Sequence, residues 1–329
     1  MECTALKILV LAGGPDRERA VSLAGGAEVA SALRQAGHFV ELKDVMPNDQ
    51  TALDAFERDG GDVIFPVMHG AWGEGGGLQA LLEARGLPFV GSTAATAALA
   101  MDKHRTRQLM AHHGLPIPDG MLLCPGDRLT LDAPLVFKPR REGSSIDVAI
   151  CRDRAAVRKA RRRLAHRHVE LIAETYVTGV EVTVGTIDGA SGVEALPAIR
   201  IVPGDGFYDY ASKYDRDDTA YRFDLGFESV TIDRIASLAV KSHELLGCRH
   251  MARVDFIVEP DGTPWILELN SIPGFTTHSL LPMAAAHGGM ELPVFVDRLV
   301  RMVAPIKGAM TPLESRRREA GSNAVHSTA

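Results

Sequence analysis

Arg253 to Gly274 read RVDFIVEPDGTPWILELNSIPG. Two apolar runs, residues 254–258 and 265–269, flank a polar turn at Asp261 and Gly262, which is the pattern of a β-hairpin. Side chains alternate along a strand, so Arg253 and Asp255 share one face, as do Glu268 and Asn270. Hard oxygen donors converging on one sheet face suit Mg²⁺, above all where nucleotide phosphates complete the shell. A solvated acidic strand pair is the plainer alternative. The apolar neighbours argue against it, because unpaired charge in such surroundings is costly.

Outward from the hairpin, the first hundred residues alternate between strand and helix patterns. Residues 7–11 form a continuous apolar run that ends at Gly13 and Gly14, and residues 20–36 follow with helical spacing. Further strands are expected at 38–45 and 62–68, and a further helix at 78–84. Such alternation implies right-handed βαβ units and a parallel sheet. Residues 1–95 are therefore expected to be an open α/β unit. A helix at 103–113, strands at 135–138, 147–151 and 171–176, and a basic helix at 154–167 describe a smaller α+β unit over 96–182. Residues 183–306 hold further strands, a long irregular stretch at 203–224 and the hairpin; the polar, aperiodic 307–329 is expected to be a disordered tail.

The composition narrows the function. The chain has 329 residues, 46% hydrophobic and 24% charged, ordinary for packed globular units. A net charge of −6 argues against a protein that coats nucleic acid, and the basic run 154–167 lacks the interleaved aromatics of such a surface. No apolar run is long enough to span a bilayer, and residues 1–10 lack a signal-peptide layout. Cys3, Cys124, Cys151 and Cys248 are scattered without metal-like spacing, which fits a reducing cytoplasm.

Several short motifs then occur in a fixed order. They are Gly13, Gly14, Glu18, Val21, Ser22 and Leu23; His69, Gly70, Gly73 and Glu74; Met101, Asp102 and Lys103; and Lys138, Pro139, Arg141 to Ser145. Phe207 to Tyr210, Lys213 and Tyr214 follow, then Arg253 and Asp255, and last Glu268, Asn270, Pro273, Gly274, His278, Ser279 and Leu280. Each is weak alone. Together they resemble the D-alanine–D-alanine ligase family, which has the three-domain ATP-grasp fold, over all but the tail.

The resemblance implies an ATP-dependent carboxylate–amine ligase that releases ADP. It makes Asp255, Glu268 and Asn270 the ligands of two Mg²⁺ (or Mn²⁺) ions bridging the ATP phosphates. Phosphoryl transfer needs charge neutralisation and positioning more than covalent chemistry from the protein, so the physics agrees. Lys103 and Lys138 hold phosphates, although lysines in such places are commonly solvent-facing. Tyr176 and Val177, in the segment opened by Glu174, read adenine through their backbone, and Glu181 contacts ribose. Glu142, Ser144 and Ser145 lie in a loop that closes over ATP, and its backbone N–H groups suit phosphate. Ser144 bonds to Glu18 and Tyr214, and closure protects a hydrolysable intermediate from water.

For the amino acids, the resemblance assigns Glu18 to the ammonium of a first D-alanine, with His69 nearby. Arg253 and the Gly274 N–H stabilise a tetrahedral oxyanion, and a fixed cation with a preorganised amide is what that charge requires. A structural salt bridge to a metal carboxylate is the alternative for Arg253. Ser279 and Leu280, at a helix start, hold the second substrate's carboxylate. Lys213 and Tyr214 resemble the dipeptide-forming branch and favour an amine over a hydroxy acid as second nucleophile. A homodimer is also implied. D-serine or another amino acid as second substrate, or a nucleotide-binding regulator without catalysis, stay open. Departures are Pro15 and Asp16, Gly76, Asp147 and the Ser271–Ile272 pair. Asp147 stands where relatives generally have glycine, and beside triphosphate its charge would repel.

Overall fold

The computed structural model describes residues 4–204 and 218–304. Strand β1 (Lys7–Gly13), helix α1 (Arg19–Gln35), β2 (Phe39–Val45), α2 (Thr51–Arg58) and β3 (Val63–Pro66) form the expected parallel sheet, ordered β2-β1-β3. After Lys7 every residue of β1 is buried, as in a parallel strand covered on both faces. On one face α1 comes so close that a Cβ on Gly26 would lie 2.6 Å from that of Ala12. The other face is covered by α2 and by α4 (Gly77–Ala84), which follows the short α3 (Gly70–Gly73).

Helices α5 (Ala94–Met101) and α6 (Lys103–His112) come next, each with a side-chain N-cap: Thr96 N–H donates to the Thr93 hydroxyl and Arg105 N–H to Asp102. Sequence reading grouped most of this stretch with the second unit. In the structure Ala100 and Met110 bury into the core of the third sheet, while Asp102 and Lys103 bond to Arg140 beside the second.

The second sheet is antiparallel, ordered β4-β7-β5-β6, from β4 (Gly120–Leu123), β5 (Leu135–Pro139), β6 (Ala149–Cys151) and β7 (Leu171–Thr175). The basic α7 (Arg154–Ala165) lays Ala160 and Leu164 on Leu135 and Phe137 and keeps its cations outward. Strand alternation then turns Val136 and Lys138 to the opposite face, where they line a cleft. The strand expected from 147 begins only at Ala149, because Asp147 adopts a left-handed turn conformation at φ 55°.

The third sheet is ordered β11-β10-β8-β12-β13, with β9 (Gly192–Ala195) paired to β8 (Val180–Gly189). Its other members are β10 (Ile199–Val202), β11 (Ala220–Arg222), β12 (Met251–Val258) and β13 (Pro264–Asn270). The last two are the expected hairpin. Helix α8 (Ser229–Leu246), which sequence reading did not assign, packs Ile235, Leu238 and Ala239 on one face against Val182, Val254 and Phe256. Helices α9 (Leu280–His287) and α10 (Leu292–Val303) turn back to the first sheet. Phe295, Val296 and Leu299 of α10 share a core with Val29 and Leu33 of α1, and Asp297 lies 2.7 Å from His38 Nε2. No helix among the described residues is long and apolar enough to cross a membrane. Lys213, Tyr214 and the expected tail lie outside the described residues.

Candidate active site

Two adjoining clefts meet at the hairpin. The larger runs between the second and third sheets and is lined by Lys103, Lys138, Glu142, Ser145, Glu174, Tyr176, Val177, Glu181, Asp255 and Glu268, all singled out from the sequence. The smaller is lined by Glu18, His69, Glu74, Ser144, Arg253, Asn270, Gly274, Ser279 and Leu280. Lys103, Gly143 and Glu268 line both.

The hairpin register puts Asp255 opposite Glu268 and Arg253 opposite Asn270. A bulge follows Asp255, so Leu267 and Glu268, consecutive in sequence, both reach the larger cleft. Arg253 donates from Nε and Nη2 to the two Asp255 oxygens, both at 2.9 Å, and the Thr183 hydroxyl donates to Oδ1 at 2.6 Å. Lys103 Nζ lies 3.3 Å from Glu268 Oε2 and donates to the Glu142 carbonyl at 2.7 Å. Asn270 Oδ1 accepts the Ile272 N–H at 2.9 Å. Two carboxylates and an amide oxygen are the hard donors that fit Mg²⁺ when substrate oxygens share the shell, rather than an all-protein cage. Among the described residues no group of three or more His, Cys, Asp or Glu side chains could hold a metal by itself.

At the far wall Glu174, 3% exposed, is held on both oxygens. Arg107 Nη1 lies 2.6 Å from Oε2 and Lys138 Nζ 2.7 Å from Oε1. Arg107 also donates to the Pro118 carbonyl. Sequence reading missed Arg107, although it follows Lys103 at the i+4 spacing that places both on one helix face. It also missed the anchor behind Lys103. Asp102 receives Arg140 through Nε and Nη2, at 2.7 and 2.6 Å, and Arg141 at 3.1 Å. Burial would raise the Asp102 pKa, but these bonds and the Arg105 N–H bring it down to about 2. The Lys103 N–H donates to the Arg140 carbonyl at 3.1 Å, joining the start of α6 to the end of β5.

In the smaller cleft Glu18 stands at the entry to α1 and accepts a hydrogen bond from the Ser144 hydroxyl. His69 is buried, with Nδ1 4.0 Å from Glu74 Oε2 and with Nε2 lacking a hydrogen-bond partner among the described residues. Burial lowers its pKa against the opposing pull of Glu18, which favours the neutral ring. Glu74 moves the other way. Burial, then repulsion by Glu18, pushes its carboxyl up to about 8. The Ser279 hydroxyl, at the start of α9, accepts the Thr276 N–H at 2.9 Å. A Cβ on Gly274 would sit 2.7 Å from that hydroxyl.

Two departures have local reasons. Gly76 adopts φ 99° and a Cβ there would lie 2.6 Å from the Ala94 carbonyl oxygen, so this turn excludes aspartate. Asp147 does not line the cleft; its carboxylate is met by His168 Nε2 at 2.8 Å and Arg167 Nη1 at 3.1 Å.

Residues 127–301 match the family model described as D-ala D-ala ligase C-terminus, and residues 40–92 match D-ala D-ala ligase N-terminus. The chain belongs to the D-alanine–D-alanine ligase family. A D-alanine–D-alanine ligase of Anaeromyxobacter sp. (strain Fw109-5) is 40% identical over 304 residues, covering 90% of this chain and 96% of that one. The crystal structure of the Bacillus anthracis D-alanine–D-alanine ligase complexed with ATP aligns with a TM-score of 0.76 at 27% identity, over 96% of this chain and all (100%) of that one. The VanG D-Ala:D-Ser ligase of Enterococcus faecalis aligns at 0.78 with 25% identity, over 92% and 100%. The fold is thus that of the ligase family, an ATP-grasp architecture.

Proposed function

We propose that this enzyme joins two D-alanines, at the expense of ATP, into D-alanyl-D-alanine for peptidoglycan precursor synthesis. The supporting observation is the meeting of the two clefts, with Lys103, Gly143 and Glu268 lining both and Ser144 reaching across to Glu18. A nucleotide in the larger cleft and an amino acid in the smaller would face each other at the hairpin, and such positioning is most of what phosphoryl transfer requires. In this reading ATP phosphorylates the carboxylate of the first D-alanine. The amine of the second then attacks the acyl carbon, and phosphate leaves from the tetrahedral intermediate.

Tyr176 and Val177 hold adenine, Glu181 the ribose, and Lys103 and Lys138 the phosphates under the loop of Glu142, Ser144 and Ser145. Glu174 orients Lys138, because both of its oxygens are already bonded to cations. Asp255, Glu268 and Asn270 would hold Mg²⁺, which supplies charge neutralisation on the phosphates. Glu18 accepts the first ammonium, Arg253 and the Gly274 N–H face the oxyanion, and Ser279 with the α9 N-terminus receives the second carboxylate. Three structural units gripping the substrates, a homodimer and a cytoplasmic location complete the proposal. The 40%-identical relative named for D-alanine supports that second substrate over the D-serine of the 25%-identical structural neighbour.

The test is phosphate release with ATP alone, with D-alanine, and with D-alanine plus D-serine or other acceptors, with products identified by mass spectrometry. D-alanine-dependent release with D-alanyl-D-alanine as product is expected. Preference for another acceptor would move the assignment within the family, and no amino-acid-dependent release would leave a nucleotide-binding regulator.

A further inference from the structure

Residues 143–148 form two overlapping turns, in which Ile146 N–H donates to the Gly143 carbonyl at 3.0 Å and Val148 N–H to the Ser145 carbonyl at 3.3 Å. Ser144, Ser145 and Asp147 have φ values of 50°, 57° and 55°. The left-handed region is unfavourable for side chains larger than glycine, with aspartate among the more tolerant. Conformations of this kind persist only where the surroundings over-determine them. Here the loop is gripped from two sides. Ser144 donates to Glu18 on the inner side, and on the outer side Asp147 accepts from Arg167 and His168 in the turn between α7 and β7. His168 Nε2 must carry the proton in this contact, since an ionised carboxylate only accepts. The Asp147 side chain is 10% exposed and His168 16%, so that contact is partly shielded from water, whereas Arg167 stays 64% exposed. Glycine at this position would meet the backbone requirement without supplying a tether.

We propose that Asp147 is a positioning residue whose bonds to Arg167 and His168 latch the 143–148 loop over the nucleotide cleft, so that Ser144 meets Glu18 before substrate arrives. The consequence for catalysis rests on the ligase reading above; the latch itself does not. A ligand's affinity falls by the fraction of molecules in the competent state. Opening the latch therefore raises KM for ATP more than it lowers kcat.

The test compares Asp147→Ala, the double variant Arg167→Gln/His168→Gln and the triple combination with wild type, by hydrogen exchange of nucleotide-free protein and by steady-state kinetics. Asp147→Asn keeps an acceptor and tolerates the left-handed backbone. Exchange in 143–148 should quicken at least about fivefold in Asp147→Ala and similarly in the double variant, with no further gain when combined, because groups in one network are not additive. KM for ATP should rise about three- to tenfold, as the inverse of the closed fraction that remains, with Asp147→Asn partly restored. Unchanged loop exchange in Asp147→Ala, or effects that simply add in the triple variant, would overturn the latch. Faster exchange in a protein with no ATP-dependent ligation would keep the latch and remove the ligase reading.

Discussion

Glu174 and Asp255 are buried carboxylates lining one cleft, and each is held by an arginine. They differ in where their partners come from. Glu174, on β7, joins Arg107 of α6 and Lys138 of β5, so one carboxylate ties three elements together. Asp255 is met by Arg253, two residues away on its own strand, and by the Thr183 hydroxyl of neighbouring β8. Releasing Arg253 would free Asp255 Oδ2 while Thr183 stays bonded to Oδ1. Releasing Arg107 would leave a buried charge short of a partner and loosen the helix that carries Lys103. The first arrangement is suited to exchanging partners during a reaction, the second to holding a frame.

The largest break in this comparison is expected at the hairpin. Asp255→Ala or Glu268→Ala should lower D-alanine-dependent ADP release by at least about 100-fold, the scale for losing preorganised electrostatic stabilisation. The urea midpoint of Glu268→Ala, whose side chain is 31% exposed, should stay close to wild type, and near-normal turnover in either variant would end the assignment. Arg107→Met should behave oppositely. Breaking one side of a buried pair costs about 3–5 kcal/mol, readable by urea unfolding, with Arg107→Lys recovering much of it. An Arg107→Met protein as stable as wild type would remove the distinction between frame and site.

Glu74 sharpens the comparison through pH. Its folded pKa of about 8 stands above the ordinary 4.5. Across that window the folded chain holds a proton that the unfolded chain has lost, so stability falls as pH rises and levels off above the folded value. Glu74→Gln should flatten that fall when unfolding free energy is measured from pH 5 to 9; an unaltered slope would place the titration elsewhere. The smallest effect is expected from Ser144→Ala. Losing one hydrogen bond to a charged group, about 1.5 kcal/mol, should slow ligation roughly tenfold.

Much of this was legible in the sequence, for identifiable reasons. The hairpin showed because its apolar runs flank a sharp Asp261–Gly262 turn, and the parallel sheet because β1 and β3 are buried on both faces and strand and helix patterns alternate. What the sequence hid was partnership. Arg107 looks like any other arginine until the fold brings Glu174 to it across 67 residues. Residues 103–113 read as helix and 94–101 were not assigned; that both cover the third sheet was hidden, because that depends on which of two apolar surfaces they meet. The bulge after Asp255 was invisible as well, since strict alternation would send Leu267 away from Glu268. Asp147 was legible as an oddity, but only the structure supplied Arg167 and His168.

The return of α10 to α1 has a consequence for biosynthesis. The first sheet is made early, yet Phe295, Val296, Leu299 and Val300 complete the core beneath α1. While the ribosome is still translating the third sheet, that apolar seam has no cover and His38 waits for Asp297. The beginning of the chain therefore reaches its final packing only when the end of the described chain has emerged.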